Sequence, residues 1–203
     1  MYLKRLIQNR LVKASIELIL IGLILVGLYT VYLFSRFNTN INQQSVIKLI
    51  SSIKESKKHD KGLIKMYDRI HDNSLSKSAL NHLIEWSSGK HSNHPCFEVV
   101  RNSFINTRHD LAENDFAITI RIEKELSQTD CLNYLLEKQN FLYGTKGVEE
   151  AAEFYFNKRL ENLHDDQLIG LIIMMENPSL YNPKRRKKLL DEKIMEMKLK
   201  KNI

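Results

Sequence analysis

His91, His94 and Cys96 fall within one short stretch, near enough in sequence to share a metal ion. Zinc held by such donors is four-coordinate, with paired ligand spacings. No fourth ligand or second pair accompanies this stretch, and the competing reading is a loop ahead of a helix that starts near Pro95. Cys96 and Cys131 are the two cysteines of the chain, too few for a disulfide framework. In an oxidising compartment they could pair, and the sequence leaves a disulfide and two free thiols equally open. A phosphate-binding glycine loop, a dinucleotide glycine fingerprint and an HExxH pair are all missing. A Ser–His–Asp triad is a matter of geometry and cannot be picked from residue order. The run Lys184-Arg185-Arg186-Lys187-Lys188 has the count of a membrane-surface or nucleic-acid contact. A solvated helix face is the simpler reading of it.

These residues need a scaffold, and composition bounds what it can be. The chain has 203 residues, with 31 Lys or Arg against 24 Asp or Glu and a net charge of +7. That length suits one domain, or one domain with an appendage. With 7 Gly and 3 Pro the chain is neither collagen-like nor rich in turns. A mean hydropathy of −0.34 excludes a multi-spanning membrane protein but not a single span. Leu18 to Phe34 carry no charge, and Ala14, Ser15 and Ile16 extend the run with Glu17 as its interruption. About 20 such residues cross a hydrocarbon core of roughly 30 Å. The run exceeds a signal-peptide core, and no small-x-small cleavage site follows it.

Lys4, Arg5, Arg10 and Lys13 precede the run, whereas Arg36 alone follows it until Lys48. The positive-inside rule then predicts a cytoplasmic stub at 1–13, a transmembrane helix at 14–36 and an extracytoplasmic domain at 37–203. The expected location is the bacterial cytoplasmic membrane, single-pass, with the N-terminus inside. The positive charge belongs to the two ends of the chain, and residues 35–182 are slightly acidic. Nucleic acid is therefore not an expected partner.

The domain reads as all-α. Val46, Leu49, Ile50 and Ile53 form one apolar face at helical spacing, and Leu75, Leu80, Leu83 and Ile84 a second. Leu190, Ile194 and Met197 form a third. Ser127 to Asp130 has the form of a capping box. Asn182 followed by Pro183 reads as a helix start, and Asn177-Pro178 ends the apolar segment Leu168 to Met175. Phe116 to Ile122 alternates as a strand would, but no partner strand matches it, so a buried helix is expected there.

Between Glu123 and Pro183 the pattern becomes specific. Gly147-Val148-Glu149-Glu150-Ala151-Ala152-Glu153-Phe154-Tyr155-Phe156-Asn157-Lys158 is similar to G-[IV]-E-x-A-A-x-x-Y-F-x-K, and Leu163 follows in register. Asn177-Pro178-Ser179-Leu180-Tyr181-Asn182-Pro183 is similar to A-P-S-x-Y-N-P, and Ile122-Glu123-Lys124-Glu125-Leu126-Ser127 to L-E-x-x-L-S-K. Together, without a gap, these resemble the second half of the peptidoglycan glycosyltransferase domain (glycosyltransferase family 51). That domain is the polymerase module of class A penicillin-binding proteins and of monofunctional transglycosylases. The resemblance implies a lysozyme-like helical fold. Glycines at 144 and 147 suit a tight turn, Ala151 and Ala152 close helix packing, and Tyr155 and Phe156 core anchors. Most matched positions are scaffold, so they speak to fold before activity.

The resemblance also implies a chemistry. A carboxylate base deprotonates an acceptor sugar hydroxyl, which attacks the anomeric carbon of a lipid-linked, pyrophosphate-activated donor. Cationic side chains, and often a divalent metal, stabilise the leaving group. This chain departs from that pattern. Tyr67-Asp68-Arg69-Ile70-His71 has Tyr where the family's catalytic Glu stands, and His94 to Asn102 keeps only a basic-Asn ending. Asp115 falls at the Glu position of the third motif, and Gln128 replaces the Lys of the fourth. A tyrosine, with a reference pKa of about 10, is no carboxylate base near neutral pH.

Asp68 and Asp115 are the candidate catalytic residues, with Glu98 a further substitute base. Arg101, Asn102, Gln128 and Lys158 are candidate substrate contacts. A degenerate, membrane-anchored relative is expected, binding a lipid-linked precursor or glycan or partnering cell-wall synthesis proteins. The alternatives are a divergent active polymerase and a tethered interaction protein without sugar binding. A divalent metal is implied only for the active case, and no other cofactor is.

Overall fold

The computed structural model describes residues 2–40, 43–90, 93–104 and 112–203, so His91 lies outside the described residues. The chain divides into two units, residues 1–42 and 43–203. The first is a single helix, α1 (Tyr2–Asn40), which runs past the predicted span at both ends. Within it Val12–Tyr32 is long and apolar enough to cross a membrane, and none of that stretch is buried by protein. The Thr30 hydroxyl donates to the Gly27 carbonyl at 2.7 Å, which satisfies it within the helix as a lipid environment demands.

The second unit is built of helices α2 (Gln43–Lys54), α3 (Lys61–Ile70), α4 (Ala79–Ser87), α5 (Pro95–Phe104), α6 (Ala112–Ile122), α7 (Gln128–Lys138), α8 (Gly147–Phe156), α9 (Asp165–Glu176) and α10 (Pro183–Lys201). The described residues hold no strand, only an isolated antiparallel bridge between Asn140 and Lys146. The all-α expectation stands. Phe116 to Ile122 is helical as expected, with Ile118 and Ile122 buried one turn apart on α6.

Side-chain caps set where the helices begin. The Ser127 hydroxyl accepts from the Asp130 N–H while the Asp130 carboxylate accepts from the Ser127 N–H, starting α7. Asn182 caps α10 through the Lys184 N–H, with Pro183 in the first turn. The central element is α9, whose Ile169, Leu171, Ile172, Ile173 and Met174 are buried on all sides, the mark of an interior helix. The inward face of α2 is Val46, Leu49, Ile50 and Ile53, and α10 buries Leu190 and Met197.

One expected face does not exist. Leu75 lies outside α4 in a 3-10 turn, and Leu80 and Ile84 are 61% and 58% exposed. The capping box at Ser78 fixes the phase of α4, and the residues it turns inward are Ala79 and His82.

Cys96 and Cys131 are paired, with an S–S distance of 2.11 Å and Cα atoms 5.0 Å apart. The bond ties α5 to α7, the helix pair that packs most extensively. Gly147 opens α8 at φ +80°, and a Cβ there would meet the Glu137 carbonyl oxygen at 2.8 Å. The Tyr155 hydroxyl donates to the Phe141 carbonyl at 2.5 Å and accepts from the Asn182 amide at 3.2 Å. Tyr155 and Asn182, from two of the sequence blocks, thus bond to each other as scaffold.

Candidate functional site

A cleft of about 1010 Å³ opens in the second unit, walled by α5, α7, the end of α9, the inner side of α10 and the residues closing α3. Seven Lys and Arg side chains line it against five Asp and Glu, a small excess of positive charge. Burial in α3 is amphipathic, with Leu63, Tyr67 and Ile70 inward, and this carries Tyr67 to the cleft wall at only 3% exposure. Burial first, then the charges of Glu98, Glu176 and Asp68, push its phenol far above the usual tyrosine range. Tyr67 is therefore a neutral hydroxyl, unable to act as a base.

Glu98 and Glu176 both line the cleft and both act on the Tyr67 hydroxyl. Glu98, in the first turn of α5, accepts from Arg101 at 2.7 Å. Burial raises its carboxyl above the ordinary value, against the opposing pull of Arg101. Glu176 ends α9 and is likewise raised by burial, opposed by Lys193 and by a hydrogen bond from Asn93. The His71 ring packs 4.3 Å from the Tyr67 ring, and its Nδ1 is 4.0 Å from Glu176. Burial and then Lys201 push His71 down to about 4, so it is an uncharged imidazole at neutral pH.

The sequence-derived candidates separate. Arg101 and Asn102 line the cleft. Asp68 is not among its lining residues; its carboxylate accepts from the Leu75 N–H at 2.8 Å and so shapes the turn after α3. Asp115 lies outside the lining as well, half-buried on α6, with its carboxyl raised by burial against the pull of Arg101. Gln128 is 5% exposed and belongs to the core. Its side chain accepts from the Cys96 N–H at 3.0 Å and donates to Glu123 at 2.7 Å. Lys158 is exposed just past the end of α8 and reaches Gln167 at 3.3 Å.

His94, read as a metal candidate, is buried beside Gln128 and Glu123 and accepts from the Phe97 N–H. Burial would raise the Glu123 carboxyl, but hydrogen bonds from His94, the Ala79 N–H and Gln128 outweigh it and hold the group low. Cys96 is consumed by the disulfide. Among the described residues no three His, Cys, Asp or Glu side chains are grouped to hold a metal. In the cleft, Glu98 is bonded to Arg101, Asp72 to Lys201, Glu85 to Lys77 and Glu196 to Lys193. Among the described residues these four carboxylates are already engaged by cations, which leaves Glu176 as the one cleft carboxylate without a Lys or Arg ion pair and is no donor set for a divalent ion.

Sequence reasoning missed Glu176, Lys193 and the far end of α10 as cleft residues. One signal for Glu176 was present: it is the charged residue that terminates the apolar run just before Asn177-Pro178.

Residues 98–201 match the family model described as Transglycosylase. The chain is 27% identical over 88 residues to penicillin-binding protein 4 of Bacillus subtilis, covering 42% of this chain and 14% of that protein. It is 26% identical over 88 residues to penicillin-binding protein 2a of Streptococcus pneumoniae, covering 42% of this chain and 12% of that one. Penicillin-binding protein 2D of Bacillus subtilis is 33% identical over 70 residues, or 34% of this chain and 10% of the relative. The matched stretch thus spans only a small part of the length of these relatives.

Proposed function

The chain belongs to the transglycosylase family, and from that premise we propose that it is a membrane-anchored, catalytically impaired peptidoglycan glycosyltransferase. In this reading the domain 37–203 lies outside the cytoplasmic membrane and holds a lipid-linked peptidoglycan precursor or a glycan strand without polymerising it. The observation that carries the reading is Tyr67. It stands where the resemblance puts the base, and it is buried and fixed in its neutral form. Binding needs less than catalysis, and the small positive excess of the cleft supports it, since a pyrophosphate-bearing precursor carries the opposite charge. Arg101 and Asn102 are the residues best placed to meet it. The disulfide supports an oxidising compartment, in keeping with an extracytoplasmic domain.

The test is a pair of measurements on the full chain with lipid-linked disaccharide-pentapeptide. Saturable binding without glycan chains is the expected result. Glycan chains formed by the wild type would sink the impaired reading, and no detectable binding would leave a tethered interaction protein.

One observation favours an active alternative. Glu98 is a half-buried carboxylate, raised by burial, that lines the same cleft as Tyr67, and a base poised nearer neutral pH is what proton abstraction from a sugar hydroxyl asks for. Polymerisation that is lost in Glu98→Gln while precursor affinity is kept would establish that alternative.

A further inference from the structure

The first turns of α10 carry Lys184, Arg185, Arg186, Lys187 and Lys188 with no acidic residue among them. The N-terminus of a helix bears positive partial charge, so cations there are placed against the local field. Several lysines elsewhere on the domain are paired closely, as in Lys54–Glu125 at 2.7 Å, Lys58–Asp130 at 2.6 Å and Lys198–Asp166 at 2.7 Å. In this run the ion pair seen among the described residues is Lys188–Glu192 at 3.9 Å, with Lys188 92% exposed. Lys184 is fixed at the root of the run, its ammonium 3.6 Å from the centre of the Phe154 ring. The next four residues are exposed, and α10 is broken at Arg186, where φ is −140° and ψ 46°. A local rule of charge placement is broken here with little internal compensation, and such departures are expected at functional sites.

We propose that Arg185 to Lys188 dock the domain on the anionic phospholipid headgroups of the bilayer that holds α1. The proposal rests on Val12–Tyr32 being a membrane span. The occupant follows from that tether: the domain begins at Gln43, shortly after the apolar stretch ends, so chain connectivity ties it to a bilayer with phosphate-bearing headgroups. Clustered Lys and Arg are attracted to such an anionic surface.

The chain has one tryptophan, Trp86, which serves as an energy donor to a dansyl-labelled lipid. The full chain is reconstituted in vesicles of phosphatidylcholine alone or with phosphatidylglycerol. Energy transfer should rise about twofold with the anionic lipid and fall back at about 0.5 M salt, where screening is nearly complete. The exposed-charge variant R185Q/R186Q/K187Q/K188Q should lose the difference. In the wild type, acetylation of Lys187 and Lys188 should slow on anionic vesicles while that of Lys61 and Lys65 does not, a readout independent of how the variant folds. Equal transfer in both lipids, or a variant that keeps the difference, would overturn the proposal. So would loss of the difference on adding inorganic phosphate at constant ionic strength, which would assign the run to free phosphate. Protein that floats with neither vesicle would overturn the span and this proposal with it, whereas floating protein without lipid preference overturns the docking alone.

Discussion

His71 makes the cleft sensitive to acid. Its ring is held at about 4 by burial and by Lys201, below its ordinary 6.5. The unfolded chain takes up a proton below that ordinary value and the folded chain refuses it. The His71 contribution is therefore intact above pH 6.5 and drains away as pH falls toward 4, by up to about 3 kcal/mol. Glu98 and Glu176 have the opposite sense. Their raised carboxyls favour the folded state in acid and lose that contribution as pH climbs through their folded values. The overlap is resolved by difference: His71→Gln should gain stability relative to wild type between about pH 7 and pH 5 in denaturant melts, and parallel curves would refute the assignment. At the same scale, Glu98→Gln should leave precursor affinity within about threefold. Arg101 keeps its place on α5, and the substitution removes a charge that opposes an anionic ligand.

The turn before α8 and the cross-link between α5 and α7 carry most of what can be tested element by element. Gly147→Ala meets both a positive φ and the Glu137 carbonyl at 2.8 Å, and should cost about 2 to 3 kcal/mol. Gly144→Ala has the same φ problem but open space, and should cost about 1 kcal/mol. Thermal or urea melts rank the two. Removing the disulfide as C96A/C131A should cost about 3 to 4 kcal/mol by loop entropy, given a separation of 35 residues. The caps at Ser127 and Asn182 were legible in sequence because capping is local chemistry. The Leu80–Ile84 face was misread because periodicity reports that a helix has an apolar side, not which side the fold covers. The pairing of the cysteines could not be read at all, since it depends on how α5 and α7 meet.

At the scale of the whole molecule, two kinds of signal stood out in the sequence. The apolar run at Val12–Tyr32 is a matter of composition, and the matched blocks from Glu123 to Pro183 are a matter of scaffold. The cleft was harder. Its walls come from helices far apart in the chain, so Glu98, His71, Glu176 and Lys193 converge only after folding. Asp68 and Gln128 looked chemical in sequence and turned out to serve a turn and a buried network.

A chain with a single pair has no wrong partner within itself, so oxidation cannot scramble it. The competing product is a bond between two chains, formed while α5 and α7 are still apart. The yield of correctly closed domain should then fall as protein concentration rises during oxidative refolding, with covalent dimer as the by-product on non-reducing gels. Isomerase activity would add little, and dilution would add much.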